Sequence, residues 1–197
     1  AFSYDEEVGG FGARHLIADL RDSGLAPRLC IVGEPTAMVP AIAHKGVHRW
    51  RCCVRGKAAH SSLTPQAVNA VEAAARLVAH IADIGDELRA NEPRMAGFDV
   101  PFSTAAVCVI EGGIADNVVP EDCRFHYEFR DLPGSDAAAM QRRVAEQAAA
   151  LEPAMKVVDP ASGFRFESIA AMPAFQARPD EPAVRLAQAL AGSEQTT

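Results

Sequence analysis

The sequence has no excess of basic residues: Lys and Arg number 19 against 26 Asp and Glu, a formal net charge of −7. A phosphate backbone rewards clustered Lys and Arg, so this balance excludes nucleic acid as an expected partner. No apolar run approaches the roughly 20 residues that cross a bilayer, so no membrane partner is expected either. There is no CxxC pair among the five cysteines, Cys30, Cys52, Cys53, Cys108 and Cys123. Cys30, Cys52 and Cys108 fall inside apolar strand-like runs, where a free thiol behaves as a small hydrophobe. The expectation is buried, reduced thiols in a cytoplasmic protein rather than a zinc–thiolate site. No basic stretch leads into an apolar one near Ala1, so no export signal is expected. Internal repeats and low-complexity tracts are missing too. What remains is ordinary globular material: with 49% hydrophobic and 23% charged residues, the chain can bury enough apolar surface to offset its conformational entropy. Its 197 residues suit one large domain or two small ones.

Periodicity divides the chain into three parts. The first, residues 1–42, reads as strand–helix–strand: Phe2-Ser3-Tyr4 ends a strand, Phe11 to Ser23 is helical through Leu16, Ile17 and Leu20, and Gly24 stops the helix. Leu29-Cys30-Ile31-Val32 then reads as a buried parallel strand. In the second part, residues 43–160, strand patterns at His48–Val54, Thr104–Ile110 and Asp122–Phe129 alternate with helical patterns at Pro65–Ala90 and Ser135–Ala150. Ser135 or Asp136 is placed to cap the second helix, and Met155–Val158 reads as the closing strand. The order β-α-β-β-α-β is that of a ferredoxin-like unit. The third part, residues 161–197, is loop-like through Pro173, Pro179 and Pro182 and then helical from Ala183 to Leu190. The fold class expected is therefore α/β, with a ferredoxin-like domain inserted in an incomplete α/β domain.

Three groupings could carry chemistry. Asp5-Glu6-Glu7 and Glu34 both lie at carboxyl ends of expected parallel strands, where open α/β sheets bind ligands. Neighbouring carboxylates repel unless a cation or a shared proton relieves them, which a divalent metal would do. A solvated acidic loop beside a helix N-terminus is the alternative. In Gly56-Lys57-Ala58-Ala59-His60-Ser61-Ser62, His60 could donate a hydrogen bond to a developing oxyanion, cap the following helix, or lie in solvent. Asn117 reads equally as a turn residue, and Arg130 as a surface partner of Asp131.

Taken in order, Ser3-Tyr4-Asp5-Glu6-Glu7, Gly33-Glu34-Pro35-Thr36, His44-Lys45-Gly46, Gly56 to Ser62, Asn117-Val118-Val119-Pro120 and Arg130-Asp131-Leu132-Pro133-Gly134 resemble the M20 metallopeptidase family. The Glu-Pro-Thr and His-Lys-Gly pieces resemble its acetylornithine branch more than its succinyl-diaminopimelate or dipeptidase branches. The resemblance implies a dinuclear zinc, or cobalt, amide hydrolase acting on a small N-acyl amino acid. It also implies a homodimer formed through residues 43–160. On the matching positions, Glu6 corresponds to the general base, Glu7 and Glu34 to ligands of the two metals, and His60 to the lid histidine that reaches the partner subunit's site. Asn117 and Arg130 correspond to lid residues that contact substrate. An aminoacylase or carboxypeptidase of the same family, or a dimerisation module without catalysis, are the alternatives. The family's other metal-binding His, its bridging Asp and its last His ligand have no counterpart among the six histidines and their contexts here. The chain is therefore expected to be a fragment that binds no metal and is inactive by itself.

Overall fold

The computed structural model describes residues 2–4 and 10–197. Two compact units are present, one made of residues 1–42 and 177–197 and the other of residues 43–176.

In the first unit, helix α1 (Phe11–Asp22) follows Gly10, whose φ of 64° provides a left-handed entry. It ends as the sequence suggests. Gly24 takes φ 69° just past the helix, and the Gly24 and Leu25 amides donate to the Arg21 and Leu20 carbonyls, satisfying groups a helix end leaves unpaired. The expected strands do not form. Phe2-Ser3-Tyr4 carries no strand, and Leu29–Val32 is an exposed, irregular segment. A buried parallel strand exists only where neighbours flank it, and none of the described residues pairs with this run.

The second unit holds the ferredoxin-like fold. After the short strand β1 (Ala43–His44), β2 (Val47–Arg55) leads through β3 (Ala59–His60) and a 3₁₀ turn (Ser61–Gln66) into α2 (Ala70–Asn91). Next come β4 (Thr104–Gly112), β5 (Val118–Val119), β6 (Asp122–Arg130) and α3 (Ala137–Val158). Strands β7 (Gly163–Met172) and β8 (Phe175–Gln176) close the unit, and α4 (Pro182–Ala191) belongs to the first unit. The main sheet is antiparallel in the order β4-β6-β2-β7. Caps fall where the side chains dictate: Asn69 Oδ1 accepts from the Val71 and Glu72 amides at the start of α2, and Asp136 Oδ1 from Ala139 at the start of α3.

Period-2 alternation sends Cys52 and Val54 of β2 and Cys123, Phe125, Tyr127 and Phe129 of β6 to one face. There they meet Leu77, Ile81 and Ile84 of α2 and Met140, Val144, Ala148 and Met155 of α3 in one core. The opposite face is a charged ladder. Arg49 and Arg130 hold Glu128, Arg51 holds Glu167 and bonds His126, and Arg124 holds Glu111.

Two expectations in this unit need correction. Met155–Val158 is the last turn of α3, not a strand: Met155 continues the inward stripe of Val144 and Ala148, while Val157 points into solvent. The closing strand is β7, inside the segment read as a loop, where Phe164 and Phe166 turn to the core between outward Arg165 and Glu167. The thiols also divide differently. Cys52 and Cys123 are buried, but Cys30 and Cys108 are exposed. Cys108 is the residue skipped in the β4–β6 register between Val107 and Val109, on an edge strand, and Cys30 lies on the unpaired run. Among the described residues, no helix is long and apolar enough to cross a membrane.

Candidate functional site

The candidate residues fall into separate groups. Glu6 and Glu7 lie outside the described residues. Glu34 is an exposed carboxylate in a tight turn: its amide donates to the Val32 carbonyl, its carbonyl accepts from Thr36, and Ala37 and Met38 follow at φ 52° and 61°. Among the described residues, no three His, Cys, Asp or Glu side chains gather as a metal would require.

His60 and Asn117 sit together at one end of the main sheet. β3 pairs with β5, with His60 opposite Val118, and the Ser61 amide donates to the Asn117 carbonyl. The glycine that begins this loop is required by space. Gly56 is buried against the Lys57–Val68 bridge, and a Cβ there would lie 2.1 Å from the Val68 carbonyl oxygen. His60 Nδ1 accepts from the Ser62 amide at 3.2 Å and lies 2.9 Å from the Ser62 hydroxyl. An accepting Nδ1 places the proton of a neutral imidazole on Nε2. The ring therefore caps the 3₁₀ turn with one nitrogen and presents an N–H donor with the other, from an exposed position.

Arg130 closes β6 at the opposite end of the sheet. Its Nε donates to Glu128 Oε1 at 3.0 Å, and Arg49 holds Glu128 Oε2 at 3.2 Å. Burial would raise the Glu128 pKa, but the Arg130 and Arg49 guanidiniums outweigh it and hold the carboxyl below its ordinary range. The motif pieces His-Lys-Gly and Arg-Asp-Leu-Pro-Gly meet here. The Gly46 amide donates to the Asp131 carbonyl at 2.9 Å, and a Cβ on Gly46 would come within 2.2 Å of Asp131 Oδ1. Asp131, nearly buried, lies 3.2 Å from His48 Nε2.

Sequence reasoning assigned no role to the residues around Arg130. Glu92, at the end of α2, accepts from the Ser103 amide and from the Ser103 and Ser135 hydroxyls, and Ser103 Oγ in turn accepts from the Leu132 amide at 3.0 Å. This fully buried serine ties the loop after β6 to the entry of β4. Burial alone would raise the Glu92 pKa; the hydrogen bonds from Ser103 and Ser135 and the Lys45 charge bring it below its ordinary value. Lys45 Nζ donates to the Phe102 carbonyl. Burial, against the pull of Glu92 and with help from Arg130, keeps its ammonium below the ordinary pKa. Lys45 and Arg130 are thus two cations at one place. Lys45 stood in a quoted motif, whereas Glu92 and Ser103 had no signal, being 47 and 58 residues from Lys45 in sequence.

The two groups are far apart. β6 runs from Asp122, at the His60 and Asn117 end, to Arg130, and eight antiparallel steps cover about 27 Å.

An antiparallel β4-β6-β2-β7 sheet backed by two helices defines the ferredoxin-like class of domain. Residues 42–156 match the M20 peptidase dimerisation domain, and the chain belongs to that family. It is 40% identical over 131 residues to the acetylornithine deacetylase of Myxococcus xanthus, and 37% identical over 130 residues to that of Vibrio cholerae. Each alignment takes in 66% of this chain and 33% of the relative, so the chain spans about a third of the length of these proteins. A tripeptidase from Staphylococcus aureus shares the fold with a TM-score of 0.68 at 21% identity, over 98% of this chain and 48% of that one.

Proposed function

We propose that this chain is part of an amide hydrolase that removes the acetyl group from N-acetylornithine, working as a homodimer joined through residues 43–160. The observation that supports this reading best is the separation of Lys45 and Arg130 from His60 and Asn117 by the length of the sheet. An N-acyl amino acid carries its carboxylate and its scissile carbonyl only a few bonds apart. One copy of the sheet cannot offer both ends to it, but two copies related by a two-fold axis can.

In this reading Arg130 and Lys45 hold the substrate carboxylate, the guanidinium as a bidentate donor. His60 of the second copy donates Nε2–H to the carbonyl oxygen as charge develops there, beside Asn117. Glu6 takes the proton of the attacking water and returns it to the leaving amine. Glu7 and Glu34 are the positions that resemble ligands of two zinc ions, with cobalt the alternative. Of these Glu34 alone lies among the described residues, as a single exposed carboxylate. A zinc site takes about four ligands, so the described residues by themselves do not make up a donor set.

The test uses a full-length protein carrying this chain. Glu6→Gln homodimers should lose about 10²–10⁴ in rate and His60→Ala homodimers about 10²–10³. Mixed dimers should regain one working site of two, with base from one subunit and histidine from the other. Mixed dimers no more active than their parents, or a substrate panel in which N-acetylornithine is not preferred over other N-acyl amino acids and peptides, would overturn the reading.

A further inference from the structure

The charged face of the main sheet is uneven. Among the described residues, Arg49, Arg51, Arg124 and Arg130 each hold a carboxylate. Arg55 and Arg165, on the same face, have no hydrogen-bond or ion-pair partner among the described residues. These two line a groove of about 550 Å³ at the ends of β2, β6 and β7. Register explains how they meet. Arg165 lies opposite Cys53 and Arg55 opposite Gly163, so the arginines are diagonal neighbours, within reach of long side chains. Gly163 puts no side chain between them.

The other wall is the last turns of α3 and the loop that follows. Its charges are already committed: Glu152 Oε2 holds Lys156, and Oε1 accepts from the Phe164 amide at 3.1 Å. Asp122, opposite Arg55 on β6, is the one lining carboxylate without a partner among the described residues. Uncommitted charge in the groove is therefore net positive, and its volume falls in the range of small-ligand sites.

We propose that this groove binds a small anion through Arg55 and Arg165. The ligand carries a phosphate or carboxylate group, the oxygen geometry that two planar guanidinium forks match. Asp122 limits the occupant to a compact anion whose far end is neutral or cationic. The site lies at the same end of the sheet as His60 and Asn117, but its lining includes none of the residues of either polar cluster, so it stands or falls independently of the hydrolase reading.

Titrations of the 197-residue chain with inorganic phosphate and, separately, succinate test this. Amide shifts at Arg55 and at 163–165 should saturate with a Kd on the order of 1 mM. The Arg55→Gln/Arg165→Gln double variant should weaken binding at least about tenfold, whereas Arg76→Gln, on α2, leaves it unchanged. Saturation by only one probe supports the site and identifies its anion. Cys53, which lines the groove, gives a readout that needs no variant: bound anion should slow its alkylation and leave exposed Cys108 unaffected. No saturable shift with either probe, binding undiminished in the double variant, or a Cys53 rate indifferent to anion would overturn the proposal.

Discussion

Replacing Gly56 with alanine tests whether the loop that carries His60 is fixed by backbone contact. The new Cβ would lie 2.1 Å from Val68 O, 3.0 Å from Val68 C and 3.1 Å from Ala70 N. All three are backbone atoms, so no side chain can rotate away. Relief requires the Gly56 and Val68 segments to separate by about an ångström, and the Lys57–Val68 bridge, with hydrogen bonds of 2.9 and 3.1 Å, would open. Two such bonds contribute about 0.5–1.5 kcal/mol each, and overpacking of this kind costs about 1–3 kcal/mol. The expected loss is about 2–6 kcal/mol, which for a chain of this size lowers the melting temperature by about 4–24 °C. Gly33→Ala, where a Cβ meets nothing within 4 Å, is the control. Thermal melts followed by circular dichroism, with amide exchange at Lys57 and Val68, measure both effects. A Gly56→Ala protein that melts within about 2 °C of wild type, with both amides equally protected, would refute the reasoning.

Three further outcomes are expected. Glu92 has a folded pKa below its ordinary 4.5, so its stabilisation is present above the unfolded value and lost as pH falls through the folded one. Glu92→Gln should therefore flatten the acid limb of melting temperature against pH, and parallel curves for the two proteins would contradict this. Burial, with smaller contributions from Cys53 and Cys123, pushes the Cys52 thiol up to about 12, and burial raises Cys123 as well. Alkylation of the native chain followed by peptide mass analysis should mark Cys30 and Cys108 and spare Cys52 and Cys123 until denaturant is added; the reverse order would show that the core is arranged otherwise. Finally, on the proposed reading the chain by itself should hold no stoichiometric zinc and hydrolyse no N-acetylornithine, because Glu7 and Glu34 would supply one terminal carboxylate per metal where about three protein ligands are usual. Elemental analysis and a chelator-sensitive assay decide that.

Patterns of local origin were legible in the residues. β6 alternates, β2 is rich in strand formers, and α2 and α3 have capping residues and apolar stripes, because a half-buried strand or helix writes its own period into the chain. Where the period is ambiguous the reading failed. Met155–Val158 is apolar enough for a strand, and only the Val144–Ala148–Met155 stripe against the core makes it helical. β7 shows clear alternation from Phe164 to Glu167, yet the prolines at 160 and 173 draw attention away from it. Those prolines fall just outside the strand, where they cost no ladder hydrogen bond.

The site divides in the same way. The resemblance of short contiguous motifs was enough to nominate His60, Asn117 and Arg130 as candidates. The tautomer of His60 needed the Ser62 amide, and the company of Arg130 needed Lys45, Glu92 and Ser103 brought together from three segments. The sequence by itself determined the alternation of strands and helices, the cap of α3 and the glycine stop at Gly24, because these depend on neighbours within a few residues. Only the tertiary structure decided that, among the described residues, Leu29–Val32 stays unpaired, that Cys108 faces out, and that Arg55 and Arg165 on their face meet no carboxylate. Strand pairing joins residues as far apart as Ala43 and Gln176, charge pairing joins Arg51 and Glu167, 116 apart, and no local period records which partner a side chain will meet.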